Sequence, residues 1–315
     1  MLHVLLTNDD GIGGAGLRHL ALNLAPRARV TVVAPERPNS ATSHSITLHK
    51  PLRMARVDGF RYEDDQQRIE AYECSGTPSD CVMLGVLHLL SASWPQLVIS
   101  GINDGINVAQ DLSYSGTVGG ALEGAVIGIP SLAVSMAGQQ RISFEQAAEA
   151  VSLLIALLVY GRAFPWQEEL RSALAAHQGE PDAPPGRWPL PAAAQSVEVF
   201  PSPGAWLPAG YPGTLCCNVN IPDVSPDELR GICWTSAGYR EYHDIVHSQK
   251  DPRGKPLYWI AGEKMLDEDS PGTDNYALSR GYITVTPLTY DITHMEGLKL
   301  LRDWPMERSS KEEGQ

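Results

Sequence analysis

The chain has 315 residues, a formal net charge of −13, 43% hydrophobic residues and 19% charged ones. That length suits one large α/β domain or two ordinary ones, and the composition excludes wholesale disorder. The acidic balance argues against nucleic-acid polymers and acidic lipid as partners, so an anionic substrate needs a local positive centre: a metal ion, helix N-termini or a few arginines.

The five cysteines, Cys74, Cys81, Cys216, Cys217 and Cys233, form no C-x-x-C pair. They read as reduced, mostly buried thiols, with the adjacent Cys216 and Cys217 on opposite faces of a strand. A reducing compartment follows. Asp9 and Asp10 arrive too early for a signal h-region, so no export and a cytoplasmic location are expected. The apolar stretch Ala150 to Tyr160 is about half of the roughly 20 residues that a bilayer span requires, and reads as a core helix.

In chain order, His3 to Leu6 predicts a buried strand that runs into a loop holding Gly11, Gly13, Gly14 and Gly16. Leu17, Leu20, Ala21 and Leu24 repeat at helical spacing before Pro26, and Val30 to Val33 predict a second strand. Together they make a βαβ unit. Pro35 to Thr47 is a long polar loop. Thr77-Pro78-Ser79-Asp80 has the form of a helix start, with Thr77 as N-cap and Asp80 reaching back, and Cys81 to Leu90 supplies the helix body.

Leu97 to Ile99 predicts the next buried strand, followed by the polar run Ser100 to Asn107. Thr117 to Ile127 is an Ala/Gly-rich helix and Ser131 to Ser135 another strand. The alternation predicts a doubly wound, mostly parallel sheet with helices on both faces, a three-layer α/β/α fold. Residues 162 to 212 break it: Gly179 to Pro191 alone holds five prolines, so an insertion or loop is expected. Beyond it, Leu215 to Ile221, Gly231 to Ser236, Leu257 to Ala261 and Tyr282 to Leu288 predict strands in a β-richer C-terminal part. Thr293 to Trp304 predicts a closing helix, and Glu307 to Gln315 a frayed end.

Asp9 and Asp10 follow the first strand directly, where a doubly wound sheet places its ligands. Two adjacent carboxylates there repel each other and favour a hard divalent cation, although Asn-Asp-Asp-Gly is also good turn chemistry. The polar loops after the Val30 and Leu97 strands lie at the same sheet edge and can converge on the pair. Tyr114-Ser115-Gly116-Thr117 leads into the Ala/Gly-rich helix, whose N-terminus is either a phosphate seat or simply capped by Thr117.

Four blocks resemble the SurE nucleotidase family in order and separation. These are Leu6 to Gly11; Ala34-Pro35 with Ser40 to Thr47; Gly76 to Asp80; and Ser100 to Asn103 with Ser115 to Gly119. Weaker matches follow at Asn218 to Pro222, at Asp251 to Gly254 with Tyr258-Trp259, and at Gly281 to Leu288. The resemblance implies a metal-dependent phosphomonoesterase that hydrolyses nucleoside 5′-monophosphates, with 3′-monophosphates and short polyphosphate left open.

It further implies one divalent ion per subunit, Mg²⁺ or Mn²⁺, held by Asp9, Asp10, Ser40 and Asn103. Two carboxylates, a hydroxyl and an amide oxygen form an incomplete hard-oxygen shell that suits these ions better than Zn²⁺. Asp9 and Asn107 are the implied catalytic residues, and Asn8, Ser115, Gly116 and Thr117 meet the substrate. In-line attack on phosphorus then comes from water or from Asp9 itself. The resemblance also implies a homodimer or homotetramer built through a C-terminal hairpin. Domain limits follow: an α/β core over 1–161, the Pro-rich insertion over 162–212, and completion of the core plus the hairpin over 213–315.

Two rival readings are a Rossmann-type NAD(P)-dependent oxidoreductase and a non-catalytic nucleotide-binding protein. Gly11 to Gly16 satisfies G-x-G-x-x-G, with Glu36 20 residues beyond Gly16, but Asp9 and Asp10 would repel a pyrophosphate. His243 and His247 are spaced for one helix face yet lack a third zinc ligand, and His44 reads as a supporting residue beside the Ser40 loop. Arg37, Arg53 and Arg253 are undistinguished surface arginines. Trp206, Trp234, Trp259 and Tyr239 are candidates to stack on a base, with packing as the default.

Overall fold

The computed structural model describes residues 1–58, 69–160, 214–225, 228–267 and 270–302. The Pro-rich stretch 162–212, Trp206, Trp304 and the last residues lie outside them. The strands are β1 (His3–Thr7), β2 (Arg29–Pro35), β3 (Met54–Val57), β4 (Ile69–Cys74), β5 (Leu97–Asp104), β6 (Ser131–Met136), β7 (Cys216–Ile221), β8 (Gly231–Trp234), β9 (Arg240–Lys250), β10 (Pro256–Asp267) and β11 (Tyr282–Pro287). The helices are α1 (Ala15–Leu24), α2 (Pro78–Leu84), α3 (Gly116–Ile127), α4 (Phe144–Tyr160), α5 (Asp274–Ser279) and α6 (Met295–Arg302).

All but β9 and β10 join one sheet in the order β3-β4-β2-β1-β5-β6-β7-β11-β8. Its centre is parallel, β1 pairing with β2 on one side and β5 on the other, and antiparallel pairs enter only at β3 with β4 and at β7 with β11. The expected doubly wound sheet is therefore present. Because the central strands are covered on both faces, they are continuously apolar: β1 and β6 are buried along their whole length. Leu17, Leu20 and Leu24 of α1 join Val151, Leu154 and Ile155 of α4 in a core on one face of the sheet. Leu5, Val33, Cys81 and Val82 form a second core on the other, beneath α2.

Local chemistry explains the helix ends. Thr77 caps α2, accepting the Asp80 N–H while the Asp80 carboxylate accepts the Thr77 N–H, with Pro78 in the first turn. The helix then passes through a π-type turn, Gly85–Leu89. α3 differs from expectation, since its cap is Ser115, which accepts the Val118 N–H, and Thr117 lies inside the first turn. Gly128 closes α3 in the left-handed region, at φ 101°.

Other departures concern polar sequence. β5 continues through the predicted loop to Asp104, with a register shift between Ser100 and Asn103. β3, β4, β9 and α5 answer to no predicted element. His243 and His247 lie on β9, paired across the β9–β10 hairpin with Glu263 and Trp259. All five cysteines are free. Cys216 and Cys217 do face opposite cores, and burial pushes their thiols up to about 11 and about 12. No helix among the described residues is long and apolar enough to cross a membrane.

Candidate functional site

β1 occupies the point where the chain departs to β2 on one side and to β5 on the other, the position at which an open α/β sheet has a crevice beyond its carboxyl ends. Asn8, Asp9 and Asp10 emerge there. Asp9 is 5% exposed. Its Oδ1 accepts the Thr117 hydroxyl at 2.5 Å, and its carboxylate also accepts the Thr117 backbone N–H. The positive end of α3 is thus turned on Asp9. The approach requires Gly116, whose absent Cβ would lie 3.0 Å from the Asp9 Cβ and 2.8 Å from the Thr42 hydroxyl.

Asp10 faces the end of the neighbouring strand, its carboxylate accepting the Asp104 N–H. Burial raises the pKa of both aspartates above the usual range; the Thr117 bonds oppose the rise at Asp9, whereas repulsion from Asp9 and Asp104 adds to it at Asp10. Among the described residues no lysine, arginine or histidine pairs with either carboxylate. Nor do three His, Cys, Asp or Glu side chains cluster in a metal-binding group there. Two carboxylates beside neutral oxygens have the chemistry of a hard-cation site.

The Pro35 to Thr47 loop is drawn over this pair by specific bonds. Asn39 N–H donates to the Asp9 carbonyl at 2.6 Å, which sets exposed Ser40 one peptide from that contact. The loop is then tied to the start of α3 by Ser43, whose N–H meets the Tyr114 carbonyl at 3.0 Å and whose hydroxyl meets the Ser113 carbonyl at 2.7 Å. His44 Nε2 lies 2.7 Å from Glu123 of α3. Asp80 completes the anchoring: it accepts the Thr47 N–H at 2.8 Å and the Thr47 hydroxyl at 2.7 Å, while Thr77 donates to the Ser45 carbonyl at 2.7 Å. The Gly76 to Asp80 block therefore shapes the loop from below.

Asn103, half-buried, donates from Nδ2 to the Gly105 carbonyl at 2.6 Å, which leaves its amide oxygen as the available donor to a cation. Asn107 lies further along, 8% exposed. Its side-chain nitrogen meets Ser135 Oγ at 2.7 Å. Its backbone is gripped from β7, where Asn220 accepts its N–H at 2.9 Å and Asn218 and Asn220 donate to its carbonyl at 2.8 and 2.9 Å. Asn8 is fully buried and turned into the Gly11 turn, its amide nitrogen 3.0 Å from the Gly11 carbonyl. Asp9, Asp10, the Ser40 loop, Asn103 and Ser115 to Thr117 thus gather around the end of β1, with Asn107 fixed two strands away and Asn8 beneath.

The residues that sequence reasoning passed over are Asn39, Asp104, Asn218 and Asn220. The two asparagines carried a signal, since they stand two apart in an otherwise apolar strand and so share a face. The glycine loop has a packing role. A Cβ on Gly16 would stand 2.0 Å from the Ile102 carbonyl, and Ile12 N–H bonds the Pro35 carbonyl at 2.8 Å. These residues let α1 pack on β5 and tie the turn to β2.

A three-layer α/β sheet with an acidic pair, Asp9 buried and Asp10 half-buried, beside hydroxyl and amide groups at its switch point defines a Rossmann-like protein with a polar crevice at the carboxyl end of its central strands. The family model of survival protein SurE matches residues 4–244. The chain is 37% identical to the 5′-nucleotidase SurE of Synechococcus sp. (strain JA-3-3Ab) over 306 residues, 96% of this chain and 97% of that protein. It is 35% identical to the 5′-nucleotidase SurE of Geobacter sulfurreducens over 314 residues, covering 100% of this chain and 98% of that one. The crystal structure of the SurE protein from Aquifex aeolicus superposes with a TM-score of 0.63 at 35% identity, covering 96% of this chain and 100% of that one. The chain belongs to the SurE family.

Proposed function

We propose that this protein is a divalent-metal-dependent 5′-nucleotidase that splits nucleoside 5′-monophosphates into nucleoside and phosphate. The observation that carries the reading is the acidic pair itself: adjacent Asp9 and Asp10 at the end of β1, both raised by burial and Asp10 further by repulsion from Asp9 and Asp104, with no cationic side chain among the described residues paired to either. Full-length similarity to proteins named 5′-nucleotidase supports it. Asp9, Asp10, Ser40 and Asn103 would hold Mg²⁺ or Mn²⁺. Such an ion supplies the positive charge that draws phosphate to an otherwise acidic chain and offsets negative charge in the transition state.

The chain's own residues do the rest. Thr117 and the start of α3 fix Asp9 and oppose the rise that burial imposes on its pKa, placing a carboxylate where it orients an attacking water or attacks phosphorus directly. Ser115, Gly116 and Thr117 edge the phosphate position, and Asn107, immobilised by Ser135, Asn218 and Asn220, stabilises the equatorial oxygens. Asn8 supports the turn that presents Asp9. Asp80 and Thr77 pin the Ser40 loop at the edge of the site.

Hydrolysis of 3′-monophosphates and short polyphosphate, a cytoplasmic location, and assembly as a homodimer or homotetramer belong to the same reading. So do the division into a core over 1–161, an insertion over 162–212 and a completing part over 213–315. The test is phosphate release from 5′-AMP and 5′-GMP, 3′-AMP, short polyphosphate and an aryl phosphate, with Mg²⁺, Mn²⁺ or EDTA. Expected are turnover that EDTA abolishes and a loss of at least about 100-fold in Asp9→Asn, the scale of removing an electrostatic catalytic contact. Equal turnover after chelation, or a shift of the melting temperature by NAD but not by Mn²⁺, would overturn it.

A further inference from the structure

The loop between Asp104 and Ser115 carries Asn107 and delivers Ser115 to the start of α3, yet the bonds that fix its far side come from the base of the β9–β10 hairpin. Arg240, the first residue of β9, is 6% exposed. Its N–H donates to Gln110 Oε1 at 2.9 Å, and the Gln110 amide returns a bond to the Arg240 carbonyl. This pair of bonds ties a side chain to a backbone much as two strands are tied.

The Arg240 guanidinium is divided between two carboxylates. It donates to Asp111 Oδ2 at 2.9 Å and to Asp267, at the end of β10, at 2.6 Å. The Tyr242 hydroxyl also meets Asp111, at 2.8 and 2.9 Å from its two oxygens. A buried fork bonded to two carboxylates holds both in one geometry, which lysine cannot reproduce.

A third tie runs beside these. Ala109 has φ 52°, a conformation that L-residues avoid. Its N–H is held by Asp274 Oδ2 at 3.0 Å, and the other oxygen of that fully buried carboxylate accepts the Gly238 N–H at 2.9 Å. Residues 109 to 111 are therefore joined to residues 238 to 242 at three successive positions. The bonds of this clamp run between the loop, the hairpin base and Asp274, and none of them ends on Asp9 or Asp10.

We infer that Arg240 is a positioning residue for phosphate binding: through Gln110 and Asp111 it holds the loop that presents Asn107 and Ser115, and so couples the hairpin base to turnover. The inference rests on the reading that Asn107 and the Ser115 to Thr117 turn meet the phosphate. Asp111→Asn, Gln110→Ala, Arg240→Lys and Tyr242→Phe are compared with the wild type for kcat and KM on 5′-AMP, and for Mn²⁺ affinity by titration calorimetry in the absence of nucleotide. Asn107→Ala and Ser115→Ala serve as reference variants.

The expected result is a fall in kcat of tenfold or more in Asp111→Asn and Gln110→Ala, a rise in KM, Mn²⁺ affinity within twofold of wild type, and a milder loss in Tyr242→Phe. Should Arg240→Lys fail to fold, the half-exposed Gln110 and Asp111 variants decide. Values of kcat and KM within twofold of wild type in both, or Mn²⁺ affinity falling in step with kcat, overturn the inference. If Asn107→Ala and Ser115→Ala are themselves fully active, the phosphate position has been misread and the inference falls with it. If those two are impaired and the clamp variants are not, the clamp alone is refuted.

Discussion

Asp80 offers a quantitative check on how the site is held, because it touches neither the acidic pair nor a phosphate. It is 2% exposed and accepts three bonds, from Thr47 N–H at 2.8 Å, Thr47 hydroxyl at 2.7 Å and Thr77 N–H at 2.9 Å. In Asp80→Asn one acceptor oxygen becomes a donor. Whichever way the amide turns, a backbone N–H, of Thr47 or of Thr77, then faces another donor. A buried donor left unpaired costs about 1–3 kcal/mol, and bonds that lose their charge assistance weaken by roughly half. The sum is about 3 kcal/mol. For a chain of 315 residues that corresponds to a melting temperature lower by about 4–5 °C.

The damage should also be local. Thr47 is the far anchor of the loop that brings Ser40 to Asp9, so protease cleavage within residues 36 to 50 should appear in Asp80→Asn well below its melting temperature. Calorimetry and limited proteolysis read the two effects separately. A melting point within 1–2 °C of wild type, together with an uncleaved loop, would refute the assignment of Asp80 as the loop's anchor.

The glycine loop gives a paired prediction: Gly16→Ala drives a methyl to within 2.0 Å of the Ile102 carbonyl and should destabilise the fold by about 3 kcal/mol or more, near the upper end for overpacking. Gly13→Ala meets nothing within 4 Å and should melt and turn over like wild type, an outcome that a pyrophosphate cradle at this loop would contradict. His3 predicts a pH dependence. Burial, helped by Arg29, lowers its pKa to about 4, so between about 6.5 and 4 the unfolded chain binds a proton that the native state refuses, and stability falls as pH falls through that window. Melting curves from pH 7.5 to 4.5 should show the slope in wild type and a shallower one in His3→Gln; parallel curves would exclude the histidine as its source.

Much of the architecture was readable because apolar strands in a parallel sheet leave an unmistakable trace. β1, β2, β6 and β7 are runs of buried residues, and the Thr77 cap announced α2 by residue type alone. The elements that escaped are those whose sequences answer to water. β4 alternates Ile69 and Ala71 with Glu70 and Tyr72 one strand from the sheet edge, and β9 is a charged, largely exposed hairpin strand that packs on no core. His243 and His247, four apart, fit a helix face or one face of a strand equally well, and only pairing with β10 decides between them.

The site divided along similar lines. The acidic pair was legible because its position after β1 has a topological meaning, whereas the choice between Ser115 and Thr117 as cap was not. Both carry a hydroxyl, and it is the arrival of Asp9, more than a hundred residues away in sequence, that recruits Thr117 and leaves the capping to Ser115. Likewise the grip of Asn218 and Asn220 on Asn107, and of Arg240 on the loop beyond, spans over 100 residues. Spacing within a segment says nothing of such contacts.

The direction of β7 bears on where the molecule tolerates change. Cys216 pairs in register with Ser131, the first residue of β6, so β7 starts at the rim of the sheet remote from Asp9, and α4, having begun beside Gly16 at the near rim, ends at Tyr160 on that remote rim as well. The long connection between them is thus moored at both ends on the back of the enzyme. A probe attached at Tyr160 or just before Cys216 therefore stands a full strand length from the carboxylates at the front, a separation set by the described strands themselves.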